Sequence, residues 1–569
     1  MTRNTEMHFS ETPQIELRRS KFEESYSHKT TFNVGDIIPI YVDSDILPGD
    51  TVQLDMASLI RMATPIYPIM DNLYADIYFF FVPHRLVWEH WAQFWGENDD
   101  PWTQTTEYEI PQLKAPSFGT GGGWATGTIA DYMGVPTNVP NISINALPFR
   151  AYCKIFNDWF RDENLMSNCH IYMDETTRSG ANGGGTWNRV VQTELGAKPC
   201  KASKMHDYFT SALPQPQKGP AVQIPLGQLA PVTTGAITDT TSNYPMWWKS
   251  AKTGNQILTT DGKKYPVEIW DNNYTGSTGV VYKNITYHGA GSDGDTDFDN
   301  PGMMPANLYA DLNEATAATI NQLRTAFAIQ KYYENAGLHG TRYIEYIRGV
   351  FGVSSSDARL QRAEYLGGQR VPLNIDQIIQ TSSTDTTSPQ GNTAGFSCTI
   401  NKDSMFTKSF EEHGTLMGLV VVRTEHTYQQ GLNKMWTRKK WTDFYNPFFA
   451  NLGEQAILNE NIYAQGTSAD KEAFGYQEAW AEYRYKENRV SAYMRSNSTG
   501  SLDVWHFADN YASLPHLSEE WIQEPKENVD RTIAVSSAIS HQFIADFYFK
   551  QYYTRAMPIY SVPGLIDHV

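Results

Sequence analysis

Residues 72–91 read NLYADIYFFFVPHRLVWEHW, a strand-sized apolar run followed by a Trp-rich segment. Leu73, Ala75, Ile77, Phe79 and Phe81 fall on one side of an extended chain. Tyr74, Asp76, Tyr78 and Phe80 fall on the other. A strand this apolar on both sides is expected to be covered on both sides. Pro83 has no N–H to give a ladder and should end the strand. Val87, Trp88, Trp91 and Trp95 then recur at helical spacing, which predicts a short amphipathic helix.

Upstream, TFNVGDIIPIYVDSDILPGDTVQLDMASLIRM (31–62) contains two β-rich runs around a turn at Leu47-Pro48-Gly49-Asp50. Far downstream, further strands are expected at Phe396–Ile400, Thr415–Tyr428 and His541–Arg555. In the last of these, Ala545-Asp546-Phe547-Tyr548-Phe549-Lys550 echoes Ala75-Asp76-Ile77-Tyr78-Phe79-Phe80. The shared phase suggests that both ends of the chain feed one sheet, with strand 74–82 paired to roughly 543–552. The expected architecture is mainly β, a sandwich whose loops have grown into helical and irregular insertions.

Between the strands, Ile144–Leu165 reads as a helix with Phe149, Tyr152, Cys153, Phe156, Trp159 and Phe160 on one face. Asn313–Gly337 reads as another, striped by Ile320, Leu323 and Phe327, and Thr341–Phe351 as a third, so 313–351 is a helical insertion. Residues 1–29 are polar and read as an N-terminal arm, leaving 30–569 as one domain with insertions. The stretch 225–305 is rich in Gly, Thr, Asn and Asp without periodicity, which marks a functional insertion.

Composition narrows the function. The chain has 569 residues, a net charge of −18 and 13% aromatics, including 33 Tyr and 15 Trp. Tyr and Trp join large contact area to a polar edge, which suits extensive protein–protein interfaces. A surface that grips nucleic acid everywhere would be basic, so any such role must rest on local patches. The start lacks the layout of a secretory signal and no apolar run is long enough to span a membrane, so neither export nor membrane insertion is expected. Four cysteines lie without CxxC spacing, which favours a reducing compartment over a disulfide framework. Cys169-His170 lacks the further ligands a zinc site needs. The runs Gly121–Gly123 and Gly183–Gly185 lack the Lys-Ser/Thr of a phosphate loop, and no GxSxG or HExxH pattern occurs. No catalytic residue and no cofactor is expected.

The ordered blocks of this sequence resemble a known family. FNVGDIIPIYVDSDILPGDTVQLDMASLIRMATPIYPIMDNLYADIYFFFVPHRLVWEHW (32–91), HDYFTSALPQPQKGP (206–220) and TRYIEYIRGVFGVSSSDARLQRAEYLGG (341–368) are similar to the major capsid proteins of microviruses, in the gokushovirus branch. So are DFYNPFFANLGEQAILNENIY (443–463), FGYQEAWAEYRYKENRVSAYMRS (474–496) and RAMPIYSVPGLIDHV (555–569). The resemblance implies an eight-stranded antiparallel jelly-roll of the viral capsid type. It further implies a T=1 icosahedral shell, held by pentamer and threefold contacts, around circular single-stranded DNA. The 225–305 insertion would form threefold protrusions, and a small basic DNA-binding protein would assist packaging. The virion, and the host bacterial cytoplasm during assembly, are the implied locations. The competing class is a jelly-roll carbohydrate-binding protein or hydrolase, which would run as a small oligomer instead of a megadalton particle.

Single-stranded DNA is held by cations along the backbone and aromatics against the bases. Candidate contacts are Arg18, Arg19 and Lys21 in the arm, and Tyr483, Arg484, Tyr485, Lys486, Arg489 and Arg495 in an interleaved cluster. Arg438-Lys439-Lys440-Trp441 has the same character. The competing reading of each is a solvated face or subunit-interface ion pairs. Candidate contacts for a bacterial surface receptor are Trp247, Trp248, Trp270, Tyr274 and Tyr282, whose alternative role is the small core of the insertion itself. Asp293, Asp295, Asp297 and Asp299 resemble the opening of a calcium loop. Phe298 stands where that loop needs Gly and Met304 where it needs Glu, so only a looser, weak calcium site would fit there.

Overall fold

The computed structural model describes residues 18–97, 107–116, 122–184, 187–220, 320–382 and 389–560, together with 222, 386 and short strands between 232 and 310. The chain divides into two compact units, Met1–Lys218 with Glu334–Val569, and Gly219–Tyr333.

The first unit is organised by strands β1 (Ser20–Phe32), β2 (Ile38–Ile46), β3 (Thr51–Met62), β4 (Leu73–Pro83), β5 (Glu364–Pro372), β6 (Thr399–Ser409), β7 (Gly414–Thr424) and β8 (Phe543–Arg555). They form two four-stranded antiparallel sheets, in the orders β1-β8-β3-β6 and β5-β4-β7-β2. Shorter strands form further small sheets among the described residues.

One core lies between the two large sheets. Leu73, Ala75, Ile77, Phe79 and Phe81 of β4 meet Val52, Leu54 and Met56 of β3 and Phe543, Phe547 and Phe549 of β8 there. The opposite side of β4 faces a second core. Phe80 and Val82 pack with Met417, Leu419 and Val421 of β7, with Val87 and Trp88, and with α1 (Leu147–Ile155). The expected division of β4 into two covered sides is what the structure has. It arises because this sheet is the middle one of three layers. By contrast β3 alternates buried and half-buried along its length, as a sheet with one solvated face must.

The expected pairing of 74–82 with 543–552 is wrong. β4 pairs with β5 and β7, while β8 pairs with β1 and β3, so the echoing strands face each other across the core. The echo records a shared inward face, which strands of opposite sheets have as readily as neighbours. The difference was written at its last position, where Phe80 is buried and Lys550 is half-buried.

The arm also differs from expectation. Ser20–Phe32 pairs with β8 along its whole length, so only residues before 20 lie outside the sheet, and 1–17 fall outside the described residues. Its polar sequence, SKFEESYSHKTTF, suits an edge strand, where charged side chains discourage further pairing.

Local chemistry sets the turns and close approaches. The Asp50 amide donates to the Leu47 carbonyl at 3.0 Å, and Gly49 takes φ +89°, the left-handed turn position that glycine accepts without strain. Gly418 lies opposite Phe79 in register, and a Cβ there would sit 2.6 Å from the Phe79 ring. Asp76, 2% exposed, ties three strands together. It accepts from Arg370 Nε of β5 at 2.6 Å and from Arg423 Nε of β7 at 3.0 Å.

The helices are shorter than their periodicity. The segment expected over 144–165 is helical from Leu147 to Phe160, with a wider π turn over Phe156–Phe160. Asn145 Oδ1 accepts from the Leu147 amide at 2.8 Å and starts it, while Ile144 belongs to a small strand. After β4 the Trp-rich segment forms only one α turn, Trp91–Phe94. α2 (Ile320–His339) and α3 (Tyr343–Phe351) follow, and Phe327 of the expected stripe is 63% exposed.

In the second unit, short antiparallel pairs join Val232–Thr234 to Leu308–Ala310, Trp248–Ser250 to Met303–Pro305, and Tyr274–Thr275 to Val281–Tyr282. No helix among the described residues is long and apolar enough to cross a membrane.

Candidate assembly and nucleic-acid surface

Two segments of the first unit, 433–450 and 478–495, fold against each other into an exposed aromatic and basic surface. The first is a chain of single turns, at Lys434–Trp436, Trp441–Asp443 and Pro447–Phe449. Short polar side chains hold them. Asn433 Oδ1 accepts from the Met435 amide at 2.9 Å, Asp443 Oδ2 from the Lys439 and Lys440 amides at 2.8 Å each, and Asn446 Oδ1 from the Phe448 amide at 3.0 Å. Such local bonds favour turns over regular structure. The Lys440 and Lys439 amides hold the Asp443 carboxyl below its usual range.

The second segment clamps the first. Arg438 lies 4.4 Å above the Tyr483 ring and 5.6 Å from Phe444. Glu482, 10% exposed, takes Lys434 Nζ at 3.3 Å and Arg438 Nη2 at 3.4 Å. Trp480 Nε1 donates to the Phe449 carbonyl at 2.8 Å, and the Tyr445 amide donates to Tyr483 Oη at 3.1 Å. The clamp leaves Trp436, Trp441 and Phe448 exposed by 71%, 72% and 94%. Lys439, Lys440, Lys486 and Arg489 are exposed in the same two segments. A lone exposed Leu needs no explanation, but three large exposed rings within one short segment mark a contact surface.

The predicted DNA-contact residues divide accordingly. Tyr483 joins this surface through Arg438 and Tyr445, and Lys486 and Arg489 are exposed in the same segment. Arg484 pairs with Glu478, Arg495 Nη1 donates to the Gln429 carbonyl at 2.7 Å, and Tyr485 stacks on Tyr208 at 5.4 Å. Arg18 and Arg19 are exposed just before β1, and Lys21 of β1 lies 4.2 Å over the Tyr552 ring. The residues that the sequence reading passed over are Trp436, Phe444, Tyr445 and Phe448. Their signal was present as aromatic density without either period, broken by Asn446-Pro447.

Of the predicted receptor contacts, Trp248 lies in a short strand and Tyr274 stands opposite Tyr282 in another pair. Trp247 and Trp270 lie outside the described residues, as do Asp293, Asp295, Asp297 and Asp299. Among the described residues no cluster of His, Cys, Asp and Glu suits a metal ion. Cys169 is buried, whereas His170 is exposed and its ring lies tilted against Tyr172, 4.1 Å between centroids, so this adjacent pair does not converge. Cys169 instead lies 3.9 Å from Cys200 and accepts from Arg189 Nη1 at 3.4 Å. All four cysteines are free.

Large exposed aromatic surface on a rigid two-sheet scaffold defines a protein made for extended contacts. The family model described as Capsid protein (F protein) matches residues 10–565. The capsid protein VP1 of Spiroplasma virus 4 is 43% identical over 554 residues, covering 96% of each chain. That of Bdellovibrio phage phiMH2K is 42% identical, covering 99% of this chain and 98% of its own. That of Chlamydia phage 1 is 39% identical, covering 98% and 97%. The chain belongs to the F-type capsid protein family, and the resemblance to gokushovirus capsid proteins is borne out. Its role is structural, as a major capsid protein that assembles with copies of itself in a virion.

Proposed function

We propose that this capsid protein is a jelly-roll subunit of a T=1 icosahedral shell enclosing circular single-stranded DNA, assembled in the host bacterial cytoplasm. The strand orders support the fold reading. With β1 to β8 taken as the eight strands of a jelly-roll in chain order, first-eighth-third-sixth and second-seventh-fourth-fifth are the two sheets that motif has. In this reading residues 1–19 are an arm and the 225–305 insertion forms threefold protrusions that meet a bacterial surface receptor. A small basic packaging protein would offset the chain's charge of −18.

The exposed surface built from 433–450 and 478–495 carries the assignment of contacts. Exposed cations interleaved with exposed rings match what a single strand needs, and the same rings match a subunit interface. Replacing Lys439, Lys440, Lys486 and Arg489 by Gln tests the choice. A DNA contact predicts less DNA per particle with shell yield unchanged. Normal DNA content with impaired shell yield assigns the surface to subunit contacts instead. The corresponding substitutions at Arg18 and Arg19 of the arm, and at Lys21 at the start of β1, are tested by the same two measurements.

A further inference from the structure

Three of the four cysteines, Cys153, Cys169 and Cys200, are buried in the second core. The Cys169 and Cys200 sulfurs stand 3.9 Å apart there, although the two residues belong to different parts of the fold. Cys169 lies in the loop after α1, its amide and carbonyl each bonded to the Asn157 side chain of the π turn at 2.8 Å. Cys200 lies at the entry to β2. Its carbonyl accepts from the Ile37 amide at 2.9 Å, and its amide donates to Tyr152 Oη of α1 at 3.1 Å.

Arg189 gives the pair its chemistry. Nε donates to Glu519 Oε1 and Nη2 to the Ser167 carbonyl, at 2.9 Å each. Held by these two bonds, the guanidinium aims Nη1 at the Cys169 sulfur, 3.4 Å away. Hydrogen bonds from Cys153 and Cys200, together with the Arg189 cation, hold the Cys169 thiol below its ordinary range against burial. Burial pushes Cys153 and Cys200 well up. A thiolate thus lies beside a thiol, the division that oxidation of two cysteines uses: the first attacks the oxidant and the second resolves the product. A disulfide requires the sulfurs to close from 3.9 Å to about 2.05 Å. Both residues lie outside helices and strands, so side-chain rotation with a small loop shift can supply the movement.

We propose that Cys169 and Cys200 form a disulfide when the protein meets a peroxide. The Cys169 thiolate attacks one peroxide oxygen. An S–O bond forms, the O–O bond breaks, and the hydroxide that leaves takes the Cys200 proton to become water. The Cys200 thiolate then attacks the Cys169 sulfur. The S–S bond forms, the S–O bond breaks, and the second hydroxide takes a proton from solvent. Two electrons pass from the sulfurs to the peroxide, which becomes two waters. Hydrogen peroxide is little larger than water and enters by local opening of the core.

The bond ties the loop after α1 to the entry of β2, positions 31 residues apart in the chain, and such a crosslink stabilises by constraining the unfolded chain. A reducing compartment keeps the pair as thiols, so the staple closes only after release. That timing rests on the proposed assembly in a bacterial cytoplasm, whereas the reaction itself does not.

The test uses shells of the full chain, incubated with and without millimolar hydrogen peroxide, denatured in iodoacetamide and mapped without reduction. A linked Cys169–Cys200 peptide pair, two hydrogens lighter than the separate peptides, is expected, with Cys153 alkylated. The denaturation midpoint should rise with peroxide, return on reduction with dithiothreitol, and stay unmoved by peroxide in Cys200→Ser. Arg189→Lys should slow the oxidation severalfold, because an ammonium cannot reach the sulfur while keeping the other two bonds. Full alkylation of all three thiols after peroxide overturns the proposal, as does linkage of Cys169 to Cys153 or a peroxide-raised midpoint that persists in Cys200→Ser. Thiols trapped in acid at host lysis decide the timing alone: free thiols support it, and a bond already present overturns it while leaving the pair in place.

Discussion

The Arg438 guanidinium lies 4.4 Å above the Tyr483 ring, and this stack joins the two segments of the exposed aromatic surface. A partly shielded cation–π contact is worth roughly 0.5–2 kcal/mol, and Arg438 also pairs with Glu482. Arg438→Ala should therefore loosen 433–450 without unfolding the sheets. Limited proteolysis of the subunit is expected to cut between Trp436 and Phe449 severalfold faster, with Arg438→Lys intermediate, because an ammonium cannot both stack and fork. Equal cleavage rates would show that the clamp rests on other contacts.

Phe448, 94% exposed, touches too little of its own chain to matter for folding. Phe448→Ser is expected to change subunit stability by less than about 0.5 kcal/mol while lowering the yield of sedimenting shells. Trp441→Ser should act in the same direction. Normal shell yield from both variants would remove the patch from the assembly interface.

Asp76 makes the opposite prediction. It is buried, and Arg370 and Arg423 reach it from the strands on either side. Removing it leaves Arg423 facing the position without its partner, and breaking a buried pair costs about 3–5 kcal/mol. Asp76→Ala should lower the denaturation midpoint of the subunit sharply, and Asp76→Asn by less, since an amide still accepts one bond.

His426 sets a pH dependence. It is buried between Asp509 and Glu524, with Nδ1 3.2 Å from Asp509 Oδ1 and Nε2 3.0 Å from Glu524 Oε2. Burial opposes its charge, but the Asp509 and Glu524 carboxylates outweigh burial and lift it to about 10. A folded value above the unfolded one of about 6.5 means that its stabilisation is complete below about pH 6.5. It is lost as pH rises toward about 10. Burial would raise Asp509, yet Lys204 and His426 hold it far below the carboxylate range. Its contribution is present above about pH 4 and lost in acid. The denaturation midpoint should fall between about pH 6.5 and 10, and His426→Gln should flatten that fall. An equal slope in the variant would assign it to other groups.

The thiols give a chemical check on the second core. Cys153, Cys169 and Cys200 are buried, whereas Cys398 is only half-buried. Iodoacetamide should modify Cys398 first in the native protein, and the other three only on denaturation. Early labelling at Cys169 would mean that the core opens.

Much of the scaffold was legible in the sequence because its signals are local. Apolar residues at both phases of 73–82 announced a strand covered twice, Pro83 its end, and Leu47–Asp50 the turn. Family blocks in order over the chain announced a capsid protein. β1 escaped because an edge strand is specified by the backbone it pairs with, not by its own alternation. The aromatic surface escaped in part because Trp436, Phe444 and Phe448 follow neither the helical nor the strand period. Their exposure depends on where Asp443 and Asn446 turn the chain.

By itself the sequence determined which side chains of β4 face a core, since apolar residues at both phases of a strand need cover on both sides. The helical stripe through Phe327 did not hold, that ring being 63% exposed. Only the tertiary structure decided which strands are neighbours. A buried face looks the same whether its partner stands beside it or across the core, so β4 and β8 read alike and lie in opposite sheets. The same holds for Arg438 and Tyr483, and for Cys169 and Cys200. Each is an unremarkable residue until long-range packing brings its partner within a few ångströms.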